Sequence, residues 1–135
     1  MAYRFPVSVK GVILKDDKVI LLKNERNEWE LPGGKLELGE SPLACVRREL
    51  QEELNLDVTP VKLIDSWIYS IFDDVHVLIL AYGCRTPAST DFIISDEHRG
   101  GAWIALDELD DINIPTGYKQ SIRMWVETRE TSSRS

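Results

Sequence analysis

The residues best equipped for chemistry lie between positions 34 and 56, GKLELGESPLACVRRELQEELNL. Gly34, Glu40, Arg48, Glu49, Glu52 and Glu53 combine a bare stretch of backbone, carboxylates and a guanidinium in one short segment. Residues three and four apart are neighbours on a helix, so Glu49, Glu52 and Glu53 crowd adjoining positions and repel one another. They also stand toward the negative end of the helix dipole. A segment that breaks two local rules together needs compensation, and function is the usual source of it. Hard Mg²⁺ or Mn²⁺ takes carboxylate oxygens and reverses the repulsion. Glu40 adds a carboxylate ahead of the helix, and Arg48 pairs with Glu52 at i+4 to steady the array. The chemistry that suits this set is the handling of a phosphate anion through bound divalent cations. A solvated, glutamate-rich helix face would account for Glu52 and Glu53 alone, but not for Gly33-Gly34, Glu40 and Arg48 beside them.

The helix that carries these groups is announced by Ser41 at the N-cap and Pro42 at the first helical position. It is expected to run to about Leu54, with Leu43, Val46, Leu50 and Leu54 as the apolar stripe that docks it. Before it, residues 4–15 and 18–23 read as strands of a hairpin turning at Asp16-Asp17. The polar segment from Asn24 to Gly33 delivers the chain to the glycine pair, where the backbone is free to approach a ligand. Trp29 is available to stack on a base or to pack. Lys23, Arg26 and Lys35 are the basic candidates for phosphate contacts.

After the helix, residues 58–71 and 75–84 read as two strands around Phe72-Asp73-Asp74. The second is apolar on both faces, as an interior strand would be. His76 reads as a hydrogen-bonded structural histidine, and Trp67 and Tyr69 share one face, as core or as pocket wall. Residues 85–101 form a long loop of a length often tied to function. A short strand over 102–105, a helical turn over Leu106–Leu109 and a helix over Gly117–Glu130 complete the order. That helix carries Tyr118, Ile122, Trp125 and Val126 on one stripe. Residues 1–130 are expected to form one domain, with 131–135 as a frayed tail.

Gly34, five residues, Glu40, seven residues, then Arg48-Glu49-Leu50-x-Glu52-Glu53-x-x-Leu56 resembles the Nudix box of the Nudix hydrolases. WELPGG before it and a tryptophan strand after it fit more loosely. The departure is Asn55, where the family has glycine at a helix end that favours a left-handed residue. Asparagine is the next most tolerant choice there.

The resemblance implies an α/β fold, a Nudix-like α/β/α sandwich with a mixed sheet between helices. It implies metal-dependent hydrolysis of a nucleoside diphosphate linked to another moiety, with Mg²⁺ or Mn²⁺ held by Glu40, Glu49, Glu52 and Glu53. By the same resemblance the Gly34 carbonyl is a further ligand. Glu97, six residues before Trp103, is one in the MutT-type branch, with Asp96 as its competitor. Glu49 is the implied general base, Glu52 or Glu97 the alternates, and Arg48 the orienting group.

Length and box placement resemble the small MutT-type enzymes that turn nucleoside triphosphates into monophosphate and pyrophosphate. The segment after Pro115 lacks the asparagine such enzymes use to read an oxidised purine. The proline that ADP-ribose hydrolases carry about fifteen residues past the box is also missing. Hydrolysis of ADP-ribose or dinucleoside polyphosphates is an alternative, and so is a Nudix-fold domain that binds a nucleotide without cleaving it. Intact Glu49, Glu52 and Glu53 favour the enzyme.

The remaining composition sets the partners. A net charge of −7 over 135 residues argues against binding nucleic acid through its backbone, so the expected partner is a small-molecule nucleotide. Neither a signal peptide nor a membrane anchor is read at the N-terminus, which predicts a cytoplasmic protein. Cys45 and Cys84 are too few for a disulfide framework and read as buried small hydrophobes.

Overall fold

The computed structural model describes residues 1–87 and 100–134, the last five of these as backbone alone. Helix α1 (Pro42–Leu54) begins as Ser41 and Pro42 require. The Ser41 Oγ accepts the Ala44 N–H at 3.2 Å, and proline fills a first-turn position that needs no donor. At the other end Asn55 adopts a left-handed φ of 55° and donates its N–H to the Gln51 carbonyl. Its Oδ1 also accepts from Gln51 Nε2 at 2.9 Å, a contact beyond simple backbone tolerance.

The buried face of α1 departs from the expected stripe. Cys45, Val46, Leu50 and Leu54 are buried together with Glu53, while Leu43 is 47% exposed. In that first turn it is the small Cys45 that faces the neighbouring chain, its Sγ donating to the Lys35 carbonyl at 3.4 Å.

Eight strands make two sheets among the described residues. The mixed sheet runs β5 (Gly33–Lys35), β1 (Val7–Val12), β7 (Val75–Arg85), β6 (Thr59–Phe72), with β1 and β7 parallel and the outer pairs antiparallel. In the second sheet β3 (Lys18–Lys23) pairs with β8 (Gly101–Ala105) and also with β2 (Leu14–Lys15) and β4 (Trp29–Glu30). The expected hairpin at Asp16-Asp17 is there, with Asp16 at φ 54°. The long first strand, however, breaks at Ile13 and changes sheets, which splits it into β1 and β2.

Side chains alternate across a strand, and that alternation sorts the core into two layers. Val9, Ile20, Leu22, Tyr82 and Cys84 pack with Cys45, Val46, Leu50 and Leu54 of α1. Val12, Val19, Leu21 and Ile79 pack with Tyr118 and Ile122 of α2 (Thr116–Arg134). Strand β7 is therefore covered on both faces, as its sequence predicts. The helix α2 continues past Glu130 to Arg134 where a frayed tail was expected, with no proline or glycine to stop it. The helical turn is a 3₁₀ segment, Leu106–Asp111.

Lys10 shares the α2-facing side of β1 with Val12. It is the one lysine buried in this structure among the described residues.

Candidate functional site

Helix α1 lays its acids along the edge strand β5, and the absence of side chains there lets them come close. Glu53 is buried, with 4% of its surface exposed, and its Oε1 accepts the Gly33 N–H at 2.7 Å. A Cβ on Gly34 would overlap the Glu49 carboxyl group, so the second glycine is what allows Glu49 to lie against the strand. Arg48 gathers the remaining acids. Its guanidinium donates to Glu40 at 2.8 and 3.1 Å, to Glu49 at 3.0 Å and to Glu52 at 3.2 Å. The predicted Arg48–Glu52 pair is thus present, and Glu40 and Glu49 share the same cation.

Electrostatics follow this geometry. Burial and the neighbouring Glu53 charge hold the Glu49 carboxyl above the usual carboxylate range, with Arg48 offsetting only part of the effect. Hydrogen bonds from Arg48, and from the Glu37 N–H, pull Glu40 down to about 2. Cys45 and Cys84 are both buried and free, and burial raises each thiol to about 12, so neither supplies a thiolate at neutral pH.

Beside this acid cluster, on the α2 side of the mixed sheet, lies a cleft of about 160 Å³. Lys10, Arg26, Lys35, Glu30, Tyr69 and Tyr118 line it, over a floor that includes Val77 and Ile79. Tyr69 stacks on Trp67 with centroids 5.6 Å apart, and both rings meet Tyr118 edge-on. Trp67 is therefore core and Tyr69 pocket wall, which resolves the two options for this pair.

Tyr69 donates to Glu28 at 2.7 Å, and Arg26 donates to the same carboxylate at 3.1 Å. Asn24, buried at the root of the loop, accepts the N–H groups of Arg26 and Glu28 and donates to the side chains of Glu28 and Glu30. A larger groove of about 510 Å³ is lined in part by Arg85, Trp125 and Arg129, and among the described residues it shares none with this site and has no carboxylate in its lining.

Of the residues nominated from sequence, Gly34, Glu40, Arg48, Glu49, Glu52 and Glu53 come together around α1. Arg26 and Lys35 line the adjoining cleft. Lys23 does not: its Nζ lies 4.6 Å from the Trp29 ring centroid, a cation–π contact at the end of β3 that turns it from the cleft. Trp29 is accordingly a packing residue. His76 is structural, its Nδ1 2.7 Å from Ser70 Oγ. Glu97 and Asp96 lie outside the described residues.

Sequence reading missed Lys10, Asn24, Glu28, Glu30 and Tyr118 as lining or support of the cleft. A usable signal existed for one of them, since Lys10 is a lone charge inside the apolar run VSVKGVIL.

Carboxylate oxygens are the donors a hard divalent cation prefers, and Glu49 and Glu53 carry the surplus negative charge that such a cation relieves. The set therefore fits Mg²⁺ or Mn²⁺ in chemical type. Among the described residues no three of these side chains are arranged to hold a metal ion together; Glu40, Glu49 and Glu52 are gathered around the Arg48 guanidinium instead.

Residues 4–125 match the family model for the NUDIX domain. The chain belongs to the Nudix family of hydrolases. It is 47% identical over 51 residues to the 8-oxo-dGTP diphosphatase of Proteus vulgaris, a match spanning 38% of this chain and 45% of that protein. It is 30% identical over 108 residues to the nucleoside triphosphatase NudI of Salmonella paratyphi B, covering 71% of this chain and 76% of the relative.

Among solved structures, a MutT protein from Methanosarcina mazei superposes with a TM-score of 0.81 at 20% identity, over 96% of this chain and 98% of the other. The E. coli dihydroneopterin triphosphate pyrophosphohydrolase gives 0.78 at 20% identity, over 95% and 99%. These confirm the Nudix fold with its mixed sheet between helices. Asn55 is compatible with that fold because it takes the left-handed conformation that glycine would supply there. Among the described residues no helix is long and apolar enough to cross a membrane.

Proposed function

We propose that this Nudix hydrolase cleaves nucleoside triphosphates to nucleoside monophosphate and pyrophosphate with Mg²⁺ or Mn²⁺ as cofactor. The observation that carries the reading is the placement of Glu49 and Glu53 against the bare strand Gly33-Gly34, beside a cleft with aromatic walls and three cations. A triphosphate with a flat base needs both halves. The names of the curated relatives, a diphosphatase and a nucleoside triphosphatase, support the same substrate class.

Glu40, Glu49, Glu52, Glu53, the Gly34 carbonyl and Glu97 would hold the cations. Charge neutralisation of the diphosphate and a lowered pKa for water are what bound Mg²⁺ or Mn²⁺ supplies. Glu49 takes the proton of the attacking water. The water oxygen bonds to phosphorus as the bridging P–O bond breaks, and pyrophosphate leaves with the electron pair. A carboxyl held above its usual range by burial suits that role, because proton transfer is most efficient when the base's pKa approaches the working pH. Arg48 orients Glu49 through their 3.0 Å contact. Arg26 and Lys35 face the substrate from the cleft.

A hydrolysis panel tests this directly. Nucleoside triphosphates, ADP-ribose, dinucleoside polyphosphates and nucleotide sugars are offered with Mg²⁺ or Mn²⁺, with products identified by mass and Glu52→Gln protein as the contamination control. Metal-dependent release of pyrophosphate from a triphosphate, absent in the control, is expected. Nucleotide binding without any cleavage would replace this reading with that of a non-catalytic Nudix domain.

A further inference from the structure

Strand β6 is the outer strand of the mixed sheet, and among the described residues only β7 pairs with it. Its far edge therefore presents a row of unpaired N–H and C=O groups, a template for a further strand. Folded proteins blunt such edges with prolines, lysines and bulges. The two ends of β6 are blunted in this way. Pro60 and Lys62 stand near its start, and register shifts fall between Pro60 and Lys62, between Leu63 and Asp65, and between Ser70 and Phe72. The middle is not. From Asp65 to Ser70 the ladder with β7 is regular. The Asp65 carboxylate is turned to α2, where it accepts the Ser121 hydroxyl at 2.8 Å, and the segment SWIYS after it carries no charge, proline or bulge.

That segment fits a strand of its own sequence. Ser66, Ile68 and Ser70 are exposed on the α1 side of the sheet, Ile68 by 53%, while Trp67 and Tyr69 lie on the α2 side. In an antiparallel pairing centred on Ile68, Ile68 meets itself, Ser66 meets Ser70 and Trp67 meets Tyr69, so partners match in size and character. The same two-fold axis sets the start of one β6 beside the end of the other. Lys62 then faces the exposed Asp73 and Asp74 of the second copy, and among the described residues none of these three side chains has an ion pair within its own chain. Phe72, 63% exposed, comes against the apolar members of a groove beside β6, Leu63, Ile64 and Met124.

We propose that β6 pairs antiparallel with β6 of a second copy of this chain about a two-fold axis at Ile68, joining two mixed sheets into one. The inference uses neither the acid cluster nor a bound nucleotide, so it stands apart from the proposed reaction. A 14-residue strand at about 3.4 Å per residue, and about 10 Å deep, buries about 1,000 Å² over both copies, the lower bound for a specific interface. The contact is isologous and closes at two copies, because each uses its β6 edge on the other.

The test is sedimentation of the full chain over a concentration series reaching about 100 µM, high enough for the weak association that small interfaces give. Disulfide trapping under oxidised glutathione accompanies it, and the native Cys45 and Cys84 are buried away from the reaction. The wild-type protein should sediment at twice the 15.4 kDa chain mass. Ile68→Lys sets like charges opposite each other and should raise the dissociation constant at least about tenfold. Ile68→Cys should link to itself, because directly opposed residues lie about 4.5–5.5 Å apart between Cα atoms, within disulfide range. Ser66→Cys, about 14 Å from its own copy, should not link to itself but should link to Ser70→Cys when the two variants are mixed. A thermal melt checks that each variant is folded, and the cysteine variants carry the test should Ile68→Lys not fold. A monomer throughout the series, a dimer in which folded Ile68→Cys does not link, or Ser66→Cys linking to itself as fast as Ile68→Cys overturns the proposal.

Discussion

Two charged clusters in this molecule have opposite stoichiometry. On α1 one cation, Arg48, serves Glu40, Glu49 and Glu52, with Glu53 close behind. At the start of α2 one acid, Asp110, is shared by Lys119 at 3.4 Å and Arg123 at 2.9 Å. The second cluster satisfies its acid with side chains alone. The first leaves excess negative charge beside a strand stripped of side chains, an arrangement that folding alone would not favour. The difference teaches where to look for function: in the cluster that the protein's own charges leave incomplete.

Glu49→Gln should break that comparison most sharply. Removing a general base lowers turnover by about 10²- to 10⁴-fold, while the fold is retained or firmed because burial and Glu53 already disfavour the charge at this position. Steady-state kinetics at saturating metal, beside a thermal melt, checks both halves. A variant with near-wild-type turnover would remove Glu49 from the mechanism.

The two glycines sharpen the contrast between framework and site. Gly33 sits at φ +148°, and a Cβ there would overlap the Val9 carbonyl, so Gly33→Ala should cost the fold itself, read as loss of soluble, cooperatively melting protein. At Gly34 the clash is instead with the flexible end of Glu49. Gly34→Ala should therefore leave the melting temperature nearly unchanged and reduce turnover by about 10²-fold, the scale of a misplaced reacting group.

Cation binding separates the clusters next. Mg²⁺ or Mn²⁺ at about a hundred times its Kd should add about 2.7 kcal/mol to wild-type stability, seen as a rise in melting temperature. Glu53→Gln should lose most of that rise and Asp110→Asn none of it. An equal rise in all three proteins would show that the metal acts elsewhere.

How much of this was legible beforehand depended on whether the signal was local. Ser41-Pro42, the i+3 and i+4 spacing of the acids and the left-handed tolerance of Asn55 are properties of neighbours in the chain, so α1 and its acid cluster could be read directly. Lys10, Glu30, Tyr69 and Tyr118 come from β1, β4, β6 and α2. Only the order of the strands brings them to one wall, and no spacing along the sequence encodes that. The strand break at Ile13 was hidden for a related reason. From Gly11 to Leu14 the chain carries no polar side chain, so alternation could not show where it leaves one sheet for the other. Leu43 misled because a helical wheel treats every turn as equally covered.

Two small effects test the parts that bear no catalytic charge. Asn55→Gly exchanges the 2.9 Å bond from Gln51 for easier left-handed backbone, so the net change in stability should stay within about 0.5 kcal/mol. A larger loss by denaturant titration would make the Gln51–Asn55 bond a principal clamp on the helix end.

Asp110→Asn should be smaller still and dependent on pH. Hydrogen bonds from Arg123 and then Lys119 hold the Asp110 carboxyl below its ordinary 3.8, so its ionised form is favoured in the folded protein. That stabilisation is complete above pH 3.8 and is lost as pH falls through the depressed folded value. The wild-type protein should therefore melt slightly above Asp110→Asn at neutral pH, and the gap should close only in the acid range below 3.8. Because the cluster is solvent-exposed, salt should also narrow the gap at neutral pH. Metal-dependent turnover should be the same in both proteins, since a cluster of two cations around one acid has no surplus negative charge to offer a metal ion.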